Sequence, residues 1–191
     1  MINMIFSIVK YLHRSLHVKQ WWLVLPNQLG ILSSKEKLRK INLSGGLEFW
    51  VRPNTRDINE VLAVGLGHEY PQAAFCKLNK ISNLVMFDCG AHIGSFAAYA
   101  SKLLPEANII SLEPETNNFK MLKENIKLNN LQSKVVAVQA AIVPVDDYVN
   151  LCININNNGH SVKSTGAEHG QNQKVEGLSF NTLIKLSLIH I

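Results

Sequence analysis

Two acidic residues and two glycines in this chain have the types and spacing of a ligand-binding turn. Asp88 ends an apolar run that begins at Leu84, and Gly90 and Gly94 follow it closely. Glu113 ends a second apolar run, 23 residues after Gly90. A strand that leads through a glycine turn into a helix is typical of nucleotide-binding α/β sheets, and an acid at the next strand end can accept hydrogen bonds from ribose hydroxyls.

The spacing of the glycines distinguishes between the candidate ligands. Gly90 and Gly94 form Gly-x-x-x-Gly, whereas the dinucleotide fingerprint is Gly-x-Gly-x-x-Gly. A carboxylate at Asp88 repels a pyrophosphate but suits the ammonium and sulfonium groups of S-adenosylmethionine. The residues therefore favour S-adenosylmethionine over NAD or FAD, with Glu113 on the ribose.

Each of these residues also has a plainer interpretation. Asp88 alone fits a helix N-cap or a turn residue, and Glu113 fits an acid that leads a helix before Pro114. Two acids at adjacent strand ends favour a shared ligand. His92 is interpreted as a turn residue. The pair at 140–141, two alanines, fits an adenine contact and plain core equally well.

The surrounding pattern predicts an α/β fold. Apolar runs predict strands at 84–88, 108–113 and 135–142, and 3.6-residue periodicity predicts helices at about 94–104 and 115–129. Near-continuous apolar strands indicate parallel strands covered on both faces, and right-handed crossovers give the order 3-2-1. Before this unit the pattern predicts a strand at 47–51, a helix with a capping box at Asp57 and Glu60, and a helical turn in 73–80. After it the pattern predicts an edge strand at 148–155 and a loop at 156–173 with exposed His160 and His169. A return strand at 175–180 and a helical turn at 181–186 follow.

Composition and charge limit the class of protein. The 191 residues are 47% hydrophobic and 17% charged, with a net charge of +5, which fits a folded domain. Residues 1–40 hold seven Lys or Arg and one acid, Glu36. The chain has no basic stripe with interleaved aromatics, so we predict no nucleic-acid partner. We divide it into a basic, helical N-terminal extension (1–45) and a partial catalytic domain (46–191).

Residues 1–25 are apolar at both ends and basic between them. No uninterrupted apolar run reaches the ~20 residues that span a bilayer, and no signal-peptide cleavage pattern follows. A helix that packs on the domain is one interpretation; the other is a peripheral membrane contact with Trp21 and Trp22 at the lipid boundary. Cys76, Cys89 and Cys152 lack metal or disulfide spacing, so we predict no metal site and a cytoplasmic location.

Several stretches resemble the FkbM-type methyltransferases. Phe87-Asp-Cys-Gly-Ala-His-Ile-Gly is similar to the family's first motif, Asp-x-Gly-Ala-Asn-x-Gly, with His92 in place of the usual Asn. The likeness covers about 47–191. It extends to Leu112-Glu-Pro-Glu with Asn117, Phe119, Leu122 and Asn125, to Arg52 through Asp57, to Glu69-Tyr70, and to Val138-Gln-Ala-Ala.

The resemblance implies a class I, S-adenosylmethionine-dependent methyltransferase. It implies O-methyl transfer to a hydroxyl of a sugar or natural product, so a small-molecule or glycan acceptor. The family's Asp-x-Glu-Gly strand follows the position where this sequence stops, so truncation is expected and no catalytic residue is assigned. A non-catalytic scaffold and an NAD-dependent oxidoreductase stay open as alternatives. The implied cofactor contacts are Asp88, Gly90, Ala91, His92, Gly94, Glu113 and Pro114.

Overall fold

The structure is a computed structural model, and it describes residues 13, 16–32, 37–153, 161–162 and 171–189. Contacts divide the chain into two units, Met1–Pro71 and Gln72–Ile191. The domain boundary predicted between residues 45 and 46 lies within the first unit and stays a prediction. Most of residues 1–15, and with them much of the predicted N-terminal helix, lies outside the described residues.

The first unit combines two helices with a two-stranded antiparallel sheet. Its elements are α1 (Trp21–Gln28), β1 (Arg39–Asn42), β2 (Glu48–Val51) and α2 (Asp57–Gly65). The predicted strand at 47–51 is confirmed by β2. The prediction of a helical extension over 1–45 is wrong at 39–42, which form β1. Ile41 is fully buried opposite the fully buried Phe49, and this pairing fixes the strand despite its basic neighbours.

Helix α2 begins where the sequence predicts a helix, but the predicted capping box is wrong. Arg56 occupies the N-cap position and its side chain makes no capping hydrogen bond, while the Asp57 amide donates to the Thr55 hydroxyl at 3.2 Å. The Asp57 carboxylate instead accepts hydrogen bonds from Arg52: from the backbone amide at 2.9 Å, from Nε at 2.8 Å and from Nη2 at 2.8 Å. The Asp57 carboxylate therefore binds the Arg52 guanidinium and does not cap the helix as the pattern predicts.

The second unit contains the predicted parallel sheet. After the short helix α3 (Gln72–Phe75) and a 3-10 turn (Leu78–Lys80), the chain forms β3 (Val85–Cys89), α4 (Ser95–Leu103), β4 (Asn108–Leu112), α5 (Thr116–Leu128) and β5 (Val135–Val138). Strand β4 lies between β3 and β5, and both pairings are parallel. The predicted α/β, Rossmann-like fold with strand order 3-2-1 is confirmed, as is a helical turn within 73–80.

The apolar run at 135–142 is two strands, so the single predicted strand is wrong. The pairing of β4 with β5 ends at Leu112 and Val138. The Glu113 amide still donates to the Val138 carbonyl at 3.1 Å, but Pro114 has no N–H with which to extend the ladder. Residues beyond Gln139 form β6 (Ala140–Ile142), which pairs with a different sheet.

That second sheet has the order β6-β9-β7-β8. It contains β7 (Asp147–Ile153), β8 (Ser161–Val162) and β9 (Gln171–Leu178), and helix α6 (Phe180–Ile189) follows. The return strand and the last helical turn are confirmed. The strand predicted at 148–155 is confirmed by β7, but its predicted edge position is wrong, because β7 pairs with β9 on one side and with β8 on the other. The predicted loop includes β8 and the start of β9, while His160 and His169 lie outside the described residues.

The alanines at 140 and 141 are core residues. Ala140 packs in a cluster with Ile110, Leu112, Leu178 and Leu183. Ala141 belongs to a second cluster, with Leu151 and Val175. Both positions are buried, which favours the core interpretation over an adenine contact. Within the described part of the chain, no helix combines the length and the apolar character that crossing a membrane requires.

Candidate functional site: the turn after β3

The turn between β3 and α4 has three residues in left-handed backbone conformations. Gly90, His92 and Gly94 have φ values of +84°, +52° and +88°. Glycine adopts such angles without strain, whereas His92 does so at a cost. The amides of Gly90 and Ala91 both donate to the Leu112 carbonyl, at 2.9 and 2.8 Å. The turn is therefore held against the end of β4.

Gly94 is required for a second reason, because it lies against helix α5. A Cβ at this position would lie 2.8 Å from Cδ1 of the fully buried Leu122. A Cβ at Gly90, in contrast, would meet no atom within 4 Å. The two glycines therefore have different roles: Gly94 permits close helix packing, and Gly90 leaves open space beside the turn.

Asp88 lies at the end of β3, directly opposite Ser111 of β4 in the parallel register. Its carboxylate is 9% exposed and accepts a hydrogen bond from the Ser111 hydroxyl at 3.2 Å. Burial raises the pKa of Asp88 from 3.8 to about 6; the Ser111 hydrogen bond opposes this shift and the Glu113 carboxylate adds to it. An ionised carboxylate that is this poorly solvated gains from a nearby cation.

Glu113 lies one residue beyond β4 and binds three donors. Its Oε2 accepts from the His92 amide at 2.9 Å, and its Oε1 accepts from the Glu115 amide at 3.0 Å and from Asn118 Nδ2 at 3.2 Å. Glu113 is 5% exposed. Burial raises its pKa, while the three hydrogen bonds lower it in part. This acid therefore joins the turn, the end of β4 and the start of α5.

Three further polar residues stabilise the site, and none of them was among the predicted site residues. Glu115 is the N-cap of α5 and accepts from the amides of Asn117 and Asn118 at 2.9 and 2.6 Å. Asn125 Nδ2 donates to the Ile93 carbonyl at 2.9 Å. Ser111 binds Asp88. An acid directly before a helical pattern is a signal for the cap; no sequence signal connects Asn125 with Ile93.

The structure brings most of the predicted site residues together. Asp88, the turn 90–94 and Glu113 meet at the carboxyl ends of β3 and β4. Pro114 follows Glu113, and its carbonyl accepts from Gln173 Nε2 at 3.2 Å, which connects this edge to β9. Burial and the Asp88 carboxylate raise the pKa of the Cys89 thiol, so the neutral thiol form is favoured. Among the described residues, no group of three or more His, Cys, Asp or Glu could hold a metal.

Comparison with known proteins relates the chain to methyltransferases. No family model matches it. The methyltransferase sdnD of Sordaria araneosa is 36% identical over 64 residues, which are 34% of this chain and 25% of that protein. The chain thus has methyltransferase homologues. It matches about a quarter of the length of this curated relative, and membership of the FkbM-type family stays a prediction.

Solved methyltransferase structures align with parts of the chain. The SAM-dependent methyltransferase from Agrobacterium tumefaciens aligns with a TM-score of 0.44 and 15% identity, over 56% of this chain and 33% of that one. M. jannaschii TYW2, solved in complex with AdoMet, aligns with a TM-score of 0.40 and 23% identity, over 59% of this chain and 53% of that one.

Proposed function

We propose that this chain is part of an S-adenosylmethionine-dependent methyltransferase that binds its cofactor at the turn after β3. The proposal rests on one observation: Asp88 and Glu113, two buried carboxylates, lie at neighbouring strand ends on either side of a left-handed glycine turn. Crevices outside the carboxyl ends of parallel strands are where open α/β sheets bind ligands. The identity with methyltransferase sdnD supports the same function.

The geometry of the turn fits the cofactor. The space beside Gly90 is open where a side chain would stand, so the ligand can approach the backbone closely. Asp88 offers a negative charge to the cationic end of the cofactor, and its pKa of about 6 keeps it mostly ionised at neutral pH. When bound, S-adenosylmethionine supplies an electrophilic methyl group; the residues of this turn bind and orient it.

Glu113 has room for a ribose hydroxyl in addition to its structural partners. An ionised carboxylate offers about four acceptor positions, and three donors within the described residues occupy three of them. The fourth, on Oε2, would accept from a ribose hydroxyl. Because His92 binds the same oxygen through its amide, cofactor binding and the shape of the turn would depend on one carboxylate. Ala91, His92, Gly94 and Pro114 are the remaining proposed contacts, as the FkbM-type resemblance implies.

For the acceptor we propose a hydroxyl group of a sugar or natural product, as the FkbM-type resemblance implies. A hydroxyl loses its proton as it is methylated, and transfer to a positioned base accelerates that step. Asp88 and Glu113 are assigned to the cofactor, so the base belongs to another residue. The cytoplasmic location is part of the same proposal.

Calorimetry with S-adenosylhomocysteine tests cofactor binding directly. We expect one site per chain and an affinity that falls in Asp88→Asn, because the amide removes the negative charge without changing the side-chain shape. Glu106→Gln removes an exposed acid in the loop between α4 and β4 and serves as the control. No heat with S-adenosylhomocysteine would favour the scaffold alternative, and binding of NAD in its place would favour the oxidoreductase.

The acceptor class is tested separately, by transfer of a labelled methyl group. We expect label from S-adenosylmethionine to appear on hydroxyl-bearing sugars or natural products, and not on amines of the same size. Label on amines alone would overturn the proposed acceptor class while leaving the proposed cofactor site unaffected.

A further inference from the structure

Helix α1 exposes an apolar stripe that includes two adjacent tryptophans. Trp22, Leu25, Pro26 and Leu29 are spaced i, i+3, i+4 and i+7, which places them on one side of a helix. Trp22 and Leu29 are 56% and 57% exposed. Trp21, at 62% exposed, contacts Trp22 edge to face with ring centroids 6.2 Å apart. We call these five residues the tryptophan stripe.

The opposite side of α1 is fixed to the first unit, so the stripe cannot turn inward. Val24 is 1% exposed and Asn27 is 6% exposed. The Asn27 side chain accepts from the Asn54 amide at 2.7 Å and donates to the Thr55 carbonyl at 3.3 Å. Rotating α1 to bury its tryptophans would break both hydrogen bonds and expose Val24. The stripe therefore faces solvent as a stable feature of this unit.

The sequence on either side of α1 is strongly basic. Residues 1–40 hold seven Lys or Arg and one acid, whereas the net charge of the remaining residues is about −1. Lys19 and Lys37, on either side of α1 in the sequence, are exposed. An exposed apolar stripe with tryptophans, on a helix that basic residues flank in the sequence, fits the boundary of an anionic bilayer, where indole rings lie at the headgroup level and lysines meet lipid phosphates.

We infer that the tryptophan stripe docks α1 on the surface of an anionic membrane, with the helix lying along the interface. A second copy of the chain is a weaker occupant. A two-fold interface at α1 would bring together two copies of the same basic flanking segments, and like charges in contact are unfavourable. A lipid surface of opposite charge removes that repulsion and accepts the same apolar side chains. This inference does not depend on the proposed enzymatic function.

Co-sedimentation of the full chain with vesicles tests the inference. We expect binding to phosphatidylcholine vesicles that contain roughly one-third phosphatidylserine, little binding to pure phosphatidylcholine, and release at high salt because the charge attraction is screened. The double variant Trp21→Ala, Trp22→Ala should lower the vesicle affinity by about tenfold or more. The double variant Lys19→Gln, Lys37→Gln, which retains both tryptophans, should also lower the vesicle affinity. The control is Tyr148→Ala, an aromatic residue of the second unit with 63% exposure.

Three other results would overturn the inference. Loss of binding in Tyr148→Ala to the same extent, or equal binding by the tryptophan variant, would overturn the inference. A dimer in light scattering that the tryptophan variant abolishes, without any vesicle binding by the parent chain, would make a second copy the occupant and would also overturn it. Binding of S-adenosylhomocysteine in solution should be equal for the parent chain and the tryptophan variant, and this separates the inference from the proposed function.

Discussion

The backbone amide of His92 donates a hydrogen bond to Oε2 of Glu113 at 2.9 Å. This contact joins a left-handed residue of the turn after β3 to the residue that follows β4. The acid proposed to bind the ribose is thus also a structural residue of the turn. Experiments on this site must measure folding and binding together, because a change at Glu113 alters both.

Replacing Glu113 with alanine should weaken cofactor binding and destabilise the fold. The variant leaves the His92 and Glu115 amides without their acceptor, and an unsatisfied buried donor costs about 1–3 kcal/mol. The lost ribose hydrogen bond should cost about 1.5–3 kcal/mol of binding free energy. Urea unfolding and calorimetry with S-adenosylhomocysteine measure the two effects. The exposed Glu106→Ala serves as the control; unchanged affinity in a folded Glu113→Ala would remove Glu113 from the binding site.

Asp88 should make the chain less stable as the pH rises. Its pKa is raised by burial from 3.8 to about 6, so the folded state binds the proton more tightly than the unfolded state. The resulting stabilisation is complete below pH 3.8 and is lost as the pH rises through 6. The free energy of unfolding of Asp88→Asn, minus that of the parent chain, should therefore rise by on the order of 3 kcal/mol as the pH increases from about 4 to 7. Urea unfolding of both proteins across this range measures the difference, and a constant difference would contradict the prediction.

Cofactor binding should depend on pH in the opposite direction. A cationic ligand favours the ionised form of Asp88, so the affinity for S-adenosylhomocysteine, which retains the ammonium group, should fall as the pH drops below about 6, by up to about tenfold per pH unit. Glu113, whose pKa is also raised, can add to the fall. Asp88→Asn should bind more weakly at neutral pH and lose the part of the pH dependence due to Asp88. Calorimetry over this pH range checks both expectations.

The two glycines of the turn give a matched pair of substitutions. Gly90→Ala and Gly94→Ala both place a Cβ on a residue with φ near +85°, which costs about 1–2 kcal/mol. Gly94→Ala also places that Cβ 2.8 Å from Leu122 Cδ1, so overpacking should add about 1–3 kcal/mol. Thermal and urea unfolding should rank Gly94→Ala as the less stable variant. Gly90→Ala should remain folded and bind S-adenosylhomocysteine more weakly, since its Cβ enters the open space beside the turn.

The local order of strands and helices was predictable because periodicity determines it. The apolar run that ends at Asp88, the helix stripe and the next apolar run each indicate one element, and right-handed crossovers leave one arrangement for the three strands. The position of Asp88 and Glu113 at one sheet edge follows from that arrangement. Parallel strands end at the same edge, so the two acids meet without any information on side chains.

Pairing partners and side-chain networks were not predictable in the same way. Apolar residues resume directly after Gln139, so one polar residue does not separate two strands in the sequence, and the end of β4 at Leu112 determines where β5 stops. In β1, Ile41 follows two basic residues, and its burial depends on Phe49, which lies eight residues further along the chain. Of the three donors of Glu113, Glu115 and Asn118 follow it closely in the chain, but His92 lies 21 residues before it, and no local pattern indicates that contact.

Removing the Arg52 side chain should destabilise the first unit strongly. Asp57 is 0% exposed, and Arg52 Nε and Nη2 both lie 2.8 Å from its carboxylate oxygens. Arg52→Ala removes these two donors and leaves a buried charge poorly compensated, at a cost of about 3–5 kcal/mol. The matched control is Lys40→Ala: Lys40 pairs with Glu48 at 2.8 Å, and both side chains are about one-third exposed, so the loss should stay below about 1 kcal/mol. The double variant Arg52→Ala, Asp57→Ala should recover part of the stability, because it removes the buried charge as well. Urea unfolding of the four proteins measures these differences, and equal losses for Arg52→Ala and Lys40→Ala would show that the buried pair contributes no more than a surface pair.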